Sequence, residues 1–505
     1  MITYSVVIPT VGRPCLGRCL AALSAAHGPA PREVVLVDDR PGGAGQPALH
    51  GPAGIPFRIV LSGGAGPAAA RNAGWRATDT PWVIFLDDDV IVGRQWRAQL
   101  ASELVRLPDR VGGVQGQITV PWPEHRRPTD WERCTAGLAA ARWITADMAY
   151  RRAALAESGG FDERFPRAFR EDADLALRLF DDGWELRRGR RETAHPVRPA
   201  LPWISVRAQA GNADDALMRA LHGRHWHERA GADTGRRPRH LMITAAALTA
   251  AALTLARRPR AALMAAAAAL AGTAEFAVAR IRPGPRTPGE ITTMAATSLI
   301  IPELAAWHWI RGRLAAAGAR PWPPAARAVL FDRDGTLIRD VPYNGDPALV
   351  QAVPGAPAAV RLARRLGLRV GMITNQSGIA RGLLSRADAD AVNERVARLA
   401  GPFDTVQVCP HGPDGGCGCR KPAPGMVVAA AAALGLAPHE CAVIGDIGAD
   451  VLAARGAGAR GVLVPATATR PEEQAGVRVA PDLRTAVLML AARAAAPPLW
   501  AGSPS

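Results

Sequence analysis

Hydrophobic residues are arranged differently in three successive stretches of the chain. From residue 1 to about 235, short β-branched runs alternate with stretches of helical period. Ser5-Val-Val-Ile8, Val34-Val-Leu-Val37 and Trp82-Val-Ile-Phe-Leu86 are nearly continuous apolar runs. A strand apolar on both faces is expected where helices cover both sides of a parallel sheet. Each run ends in turn residues or carboxylates, which is where open α/β sheets hold their ligands. The same alternation resumes at Ala326 and continues to about residue 470, with one more apolar helix expected over 483–496. The pattern predicts two α/β units with parallel sheets.

Residues 241–256 and 261–279 are alanine-rich apolar stretches split by Arg257-Arg-Pro-Arg260. Each lies at or below the roughly 20 residues a helix needs to span a bilayer. A spanning pair would also carry its arginines to the far side, against the positive-inside tendency. Two packed helices and a hairpin touching a membrane surface both fit, with two full spans as a third reading. Residues 280–325 are proline-punctuated and read as a connector with a helix around 304–314.

With 505 residues, two or three domains are expected. The net charge of +16 would ordinarily point to nucleic acid or an anionic membrane. Aromatics are only 5%, however, and the arginines are dispersed, which suits a base-stacking surface poorly; nucleic acid is not an expected partner. Seven cysteines, three of them within eleven residues, fit reduced thiols and a metal site better than a disulfide framework. The chain opens directly on strand-like residues rather than a secretory leader, so a cytoplasmic location is expected, on the inner face of the membrane if the helical stretch docks there.

Chemistry concentrates first in the C-terminal unit. Ala328-Val-Leu-Phe-Asp332-Arg-Asp334-Gly-Thr336 delivers two carboxylates at the end of an apolar strand, and Gly335 allows an immediate turn. One carboxylate can attack phosphorus while the other protonates the leaving oxygen. Gathered anions need a divalent ion, and hard oxygen ligands select magnesium. Asp446, after Cys441-Ala-Val-Ile-Gly445, supplies a third carboxylate, and Thr374-Asn375 ends another strand with groups suited to phosphate oxygens. Lys421 is the only lysine among 61 basic residues. Its retention fits a site that needs one compact ammonium, the alternative being chance survival. Cys409, His411, Cys417 and Cys419 can surround a structural zinc ion tetrahedrally, in a Gly/Pro-rich loop that the metal would organise.

These residues, over 326–470, resemble the haloacid dehalogenase-like (HAD-like) phosphatases, in the branch of heptose bisphosphate and histidinol phosphatases. The resemblance implies Asp332 as nucleophile, Asp334 as acid/base, and Thr374 and Lys421 as phosphoryl stabilisers. It also implies Asp332, Asp334 (through its carbonyl) and Asp446 as magnesium ligands. Arg420, Asp340 and Tyr343, with Asn375, Gln376 and Ser377, would face the substrate, a sugar bisphosphate. Ile447 stands where that branch commonly has lysine, which bears on the exact substrate.

Four acidic or small-residue motifs mark the N-terminal unit: Val37-Asp38-Asp39, Gly66-Pro-Ala-Ala-Ala-Arg71-Asn72, Phe85-Leu-Asp87-Asp88-Asp89 and Phe169-Arg-Glu171-Asp172. Three consecutive aspartates imply a cation or a solvated turn. With Val7-Ile-Pro9-Thr10 and Gly159-Gly160-Phe161-Asp162, they resemble the inverting family 2 glycosyltransferases of GT-A type, over residues 3–230. The resemblance implies that Asp39 and Arg71 read a nucleobase, and that Asp87 and Asp89 hold Mg²⁺ or Mn²⁺ and the sugar phosphate. Asp172 would deprotonate the acceptor hydroxyl. Trp203 and Pro121-Trp-Pro-Glu-His125 would line the acceptor side, and residues 142–148 fit a strand beside the sugar pocket.

The expectation is therefore two Rossmann-like domains, GT-A over 1–235 and HAD-like over 326–480. An Ala-rich helical segment (236–325) joins them, and a helix and tail (481–505) follow. The enzyme would transfer a sugar from a nucleotide sugar to a glycan or lipid-linked acceptor. It would also hydrolyse a sugar phosphate, with D-glycero-D-manno-heptose 1,7-bisphosphate as the expected substrate. The alternative is a phosphatase for histidinol phosphate or another small ester, fused to a silent sugar-nucleotide-binding module.

Overall fold

The computed structural model describes residues 2–41, 49–319, 322, 326–413, 415–474 and 477–491. The first sheet contains β1 (Tyr4–Thr10), β2 (Glu33–Asp38), β3 (Phe57–Leu61), β4 (Trp82–Leu86), β5 (Ile91–Val92), β6 (Val111–Thr119), β7 (Asp147–Arg151) and β8 (Glu185–Ala194). Its strand order is β3-β2-β1-β4-β7-β6-β8-β5. The second contains β9 (Ala328–Asp332), β10 (Arg369–Asn375), β11 (Thr405–Cys409), β12 (Cys441–Gly445) and β13 (Arg460–Leu463), in the order β11-β10-β9-β12-β13.

Alternating side chains explain why both sheets are covered on two faces. In β1, Tyr4, Val6 and Ile8 enter one apolar core while Val7 enters the other. In β9, Val329 and Phe331 face one core while Ala328 and Leu330 face the other. The second sheet is parallel throughout its recorded pairings. The first departs from expectation, because β7 pairs antiparallel with both β4 and β6. A further correction concerns residues 142–148. Trp143 has φ of +64° and residues 142–146 turn, so the strand begins only at Asp147. Asp147 itself is fully buried, accepting from Arg191 Nε at 2.8 Å, Trp96 Nε1 at 2.7 Å and Thr193 Oγ1 at 2.6 Å. It ties strands together.

Seven helices matter for the sites: α1 (Pro67–Ala77), α2 (Arg152–Ser158), α3 (Glu171–Asp181), α4 (Arg237–Leu255), α5 (Pro259–Ile281), α6 (Pro288–Ala315) and α7 (Gly448–Ala457). The apolar stretches expected as two helices are α4 and α5, which pack against each other as a hairpin. Helix α6 starts well before the helix expected around 304–314. Thr287 caps it by accepting from Glu290 N, Pro288 occupies its first turn, and Pro302 lies within it. The C-terminal helix spans Leu483–Ala491; the rest of the expected 483–496 stretch lies outside the described residues.

The two sheets' units touch through α2 and α7. Arg455 donates to the buried Glu157 carboxylate at 2.9 Å and stacks its guanidinium 5.3 Å from the Trp184 ring centroid. Arg478 pairs with Asp182, and Trp322 Nε1 donates to the Gly159 carbonyl at 3.0 Å. Burial pushes the Glu157 carboxyl above its usual range, against the pull of Arg455. Arg455→Ala strips that carboxylate of its counter-charge. It is expected to destabilise the protein by about 3 kcal/mol, read from urea unfolding followed by tryptophan fluorescence.

Candidate active sites

The C-terminal site is built at the carboxyl ends of β9, β10 and β12. Register places Ile373 of β10 against Asp332 and Ile444 of β12 against Phe331, so the three strand ends are level. Asp332 ends β9, Thr374 and Asn375 end β10, and Asp446 follows β12. Lys421 Nζ enters this cluster from a loop, bonding Asp332 Oδ1 and, at 2.6 Å, Asp450 Oδ1. Oxygens of Asp332, Asp446 and Asp450 lie within 4.8 Å of one another. Burial pushes Asp332 well above the usual carboxylate range despite Lys421, and raises Asp446 to about 6, helped by the Asp450 charge. Against the cost of its own burial, Lys421 is held charged by Asp332 and Asp450. Three buried carboxylates face one ammonium. That surplus of negative charge, presented by hard oxygen donors, fits a divalent cation.

Asp334 sits beside the cluster rather than in it. It accepts from Gln376 Nε2 at 3.0 Å, Thr374 Oγ1 at 3.2 Å and Arg333 Nε at 3.1 Å, and remains partly exposed. Asn375 grips the backbone of Lys421, accepting its N–H at 3.1 Å and donating to its carbonyl at 3.2 Å. Gln376 and Asn375, expected at the substrate, thus hold Asp334 and Lys421 in place. Ser377 opens the short helix Ser377–Ala380. Tyr343 is exposed with φ of +52°, its hydroxyl accepting from Arg381 at 2.7 Å. Asp340 is exposed nearby, its carboxyl raised by partial burial and the Asp334 charge. Arg420 donates to the His411 carbonyl at 3.3 Å.

Two residues were not picked out from sequence here. Asp450 closes the carboxylate cluster, and its position four residues after Asp446, on the first turn of α7, could have shown it. Arg381, which shares the Tyr343 hydroxyl, carries no sequence signal.

The four-residue cluster assembles as expected. His411 Nδ1 lies 3.3 Å from Cys419 Sγ and 3.6 Å from Cys409 Sγ. Cys409, Cys417 and Cys419 sulfurs stand 3.3–3.7 Å apart. Tetrahedral zinc with bonds of about 2.3 Å separates its sulfurs by roughly this much.

In the N-terminal site, Asp88 turns away, accepting from Thr10 Oγ1 at 2.7 Å and Arg13 Nη1 at 2.9 Å. Asp87 and Asp89 therefore share the opposite side, where their oxygens and a ring nitrogen of His195 lie within 4.8 Å of one another. His195 follows β8 and could not be paired with Asp89 from sequence, since 106 residues of chain separate them. Arg198 Nε also reaches Asp89, at 2.8 Å. Arg71, expected at a nucleobase, is buried with its guanidinium bridging Asp87 at 3.0 Å and Glu171 at 2.7 Å. Asp172 lies in the first turn of α3, accepting from Ala173 N at 2.7 Å, and burial raises its pKa against the Arg71 charge. Glu171 is pushed up to about 8 by burial and by Asp172. Asp39 accepts from Ser62 Oγ at 2.7 Å and Gly66 N at 3.1 Å. Trp122 and Trp203 are exposed.

Two enzyme families, one transferring sugars and one hydrolysing phosphoesters, match the two domains. The profile of glycosyl transferase family 2 matches residues 5–174, and the HAD-hydrolase-like profile matches residues 418–486. A D-glycero-beta-D-manno-heptose-1,7-bisphosphate 7-phosphatase of Mesorhizobium japonicum is 40% identical over 29% of this chain and 73% of its own length. The crystal structure of D,D-heptose 1,7-bisphosphate phosphatase from B. bronchiseptica, complexed with magnesium and phosphate, is 32% identical. It covers 32% of this chain and 97% of that one, with a TM-score of 0.30. S. aureus TarS 1-349 in complex with UDP is 13% identical, covering 59% of this chain and 90% of that one, with a TM-score of 0.31. The chain belongs to the HAD-like phosphatase family of the first of these relatives and carries a family 2 glycosyltransferase domain, so it is an enzyme of both kinds.

Gly335 makes the C-terminal site geometrically sensitive. Its φ is +79°, and a Cβ there would fall 2.2 Å from Asp446 Oδ2. Gly335→Ala is expected to cost about 1–2 kcal/mol from backbone handedness alone. It should also lower p-nitrophenyl phosphate turnover, because Asp446 must move; urea unfolding and release of p-nitrophenol measure the two effects.

Proposed function

We propose that the C-terminal domain is a magnesium-dependent phosphatase for the 7-phosphate of D-glycero-D-manno-heptose 1,7-bisphosphate, and that the N-terminal domain transfers a sugar from a nucleotide sugar with inversion. The observation carrying the first reading is Lys421 Nζ bound between Asp332 and Asp450, beside Asp446. Asp332 attacks the phosphorus; the bond to the sugar oxygen breaks as Asp334 gives that oxygen a proton. The aspartyl-phosphate is then hydrolysed by a water that Asp334, now a carboxylate, deprotonates. Thr374 and Lys421 offer a hydroxyl and an ammonium to the phosphoryl oxygens. Asp332, Asp446 and Asp450, with the Asp334 carbonyl, would hold magnesium, which supplies charge neutralisation when bound. The sugar end would meet Arg420, Asp340 and Tyr343. The activity of the relatives supports the heptose substrate.

In the transferase, Asp172 takes the proton of the acceptor hydroxyl, and Asp87 and Asp89 with His195 would hold Mg²⁺ or Mn²⁺ against the leaving diphosphate. Arg71 fixes the separation of Asp87 and Glu171, and Asp39 would face the nucleobase. Cys409, His411, Cys417 and Cys419 would hold a structural zinc ion. The protein would work in the cytoplasm.

Asp332→Asn is expected to reduce phosphate release from the heptose bisphosphate to background. Lys421→Arg should lower kcat by about 10²-fold with KM little changed, since the ammonium acts on developing charge. Turnover of histidinol phosphate but not of the heptose bisphosphate would reverse the substrate assignment. Metal analysis should find one zinc per chain, lost together with thermal stability in Cys419→Ser.

A further inference from the structure

A cavity of about 1010 Å³ lies between the transferase domain and the helices α4, α5 and α6. Phe169 and Arg170, directly before Glu171 and Asp172, form one part of its wall, and Arg198, bonded to Asp89, forms another. Through Arg170, two residues before Asp172, and through Arg198 the wall adjoins the proposed base and the proposed metal site. The opposite wall is helical, with His240 from α4, Phe276 and Arg280 from α5, and Met294 from α6. His240 is 7% exposed, and its Nδ1 has no hydrogen-bond partner among the described residues. Arg198, Arg280 and Glu290 beside Phe276 and Met294 make the lining mixed polar and apolar, which suits a ligand with a polar head.

The same two helices run on past the cavity as an unpartnered apolar hairpin. From His240 to Leu255 the rise is roughly 22 Å. Met242, Leu248, Leu255, Leu263, Met264 and Leu270 on this hairpin are 64–86% exposed. Helix α5 is long and apolar enough to cross a bilayer, with a mean hydropathy of 1.7 over its most apolar window and only 17% of that window buried. A water-soluble surface rarely carries so large an apolar patch. At the turn, Arg257, Arg258 and Arg260 are exposed and make no ion pair among the described residues. Positive charge flanked by bare leucine and methionine matches the headgroups and hydrocarbon of an anionic bilayer.

We infer that the α4–α5 hairpin docks in an anionic lipid bilayer and that the cavity at its base receives the polar head of a lipid-linked acceptor. The second half rests on the transferase reading above; the first does not. An acceptor held by its tail in the membrane would reach Asp172 along the hairpin without leaving the lipid phase.

The full chain, mixed with phosphatidylcholine vesicles containing phosphatidylglycerol, should float with them and stay bound in molar salt. The triple variant L255E/L263E/M264E should remain in the aqueous fraction with an unchanged melting temperature. A parent protein that stays free of vesicles overturns the docking. So does one that light scattering shows to be a dimer through this face, dissociated by the same triple change. For the cavity, the probe is a polyprenyl phosphate in those vesicles, supplied with a panel of nucleoside diphosphate sugars. Thr293→Trp, which fills the cavity from α6, should cut sugar recovered in the organic phase by roughly tenfold or more. Parent-level recovery in that variant overturns the acceptor assignment, as does the absence of any lipid-borne sugar with the parent. If the parent releases no nucleotide from any donor, the transferase reading itself fails, while flotation still decides the hairpin.

Discussion

Everything in the C-terminal site is arranged around one charge imbalance: three buried carboxylates and one ammonium. Two carboxylates about 4 Å apart repel by roughly 4 kcal/mol at an effective dielectric of 20, and burial adds to the cost. Lys421 offsets part of this by touching Asp332 and Asp450 together. The remainder appears as the raised pKa values of Asp332 and Asp446. Gly335 and Gly445 make room for the cluster, since a Cβ at either would lie 2.2 Å from Asp446 or Asp450.

The transferase site answers the same electrostatic difficulty with the other basic residue. Arg71 is as deeply buried as Lys421 but bonds Asp87 and Glu171 through separate nitrogens of one planar fork. That geometry holds two carboxylates at a fixed separation. Lys421 brings a single compact charge into contact with two carboxylates at one point, a geometry that suits an ammonium better than a broad planar fork.

Most of the strand framework was legible because the signal is local. Nearly continuous apolar runs ending in Asp332, Asn375 and Asp39 define strands and their carboxyl ends without any tertiary knowledge. The Cys409–Cys419 cluster was legible because four ligands lie within eleven residues. What stayed hidden depends on contacts across long sequence separations. His195 meets Asp89 only after β8 folds beside β6, and the antiparallel β7 is set by pairing with β4 and β6 rather than by its own composition. Asn375 and Gln376 were expected at the substrate because their amides end a strand beside the carboxylates, where polar groups suit phosphate oxygens. Only the fold shows that their amides are already committed to Lys421 and Asp334. Residues 280–325 misled for a different reason: prolines usually break helices, but Pro288 lies in the first turn of α6, where the missing N–H costs nothing.

The contact between the two catalytic units belongs to the same economy of buried charge. Glu157 lies on α2, just before the Gly159-Gly160-Phe161 turn whose Phe161 exchanges hydrogen bonds with Asn72, the neighbour of Arg71. Arg455 lies on α7, whose first turn carries Asp450. One ion pair thus joins the helix behind one site to the helix behind the other. A buried pair of this kind adds little net stability over an apolar contact, because both ions lose their water. It does penalise any other docking, since a slipped interface would leave Glu157 buried without Arg455.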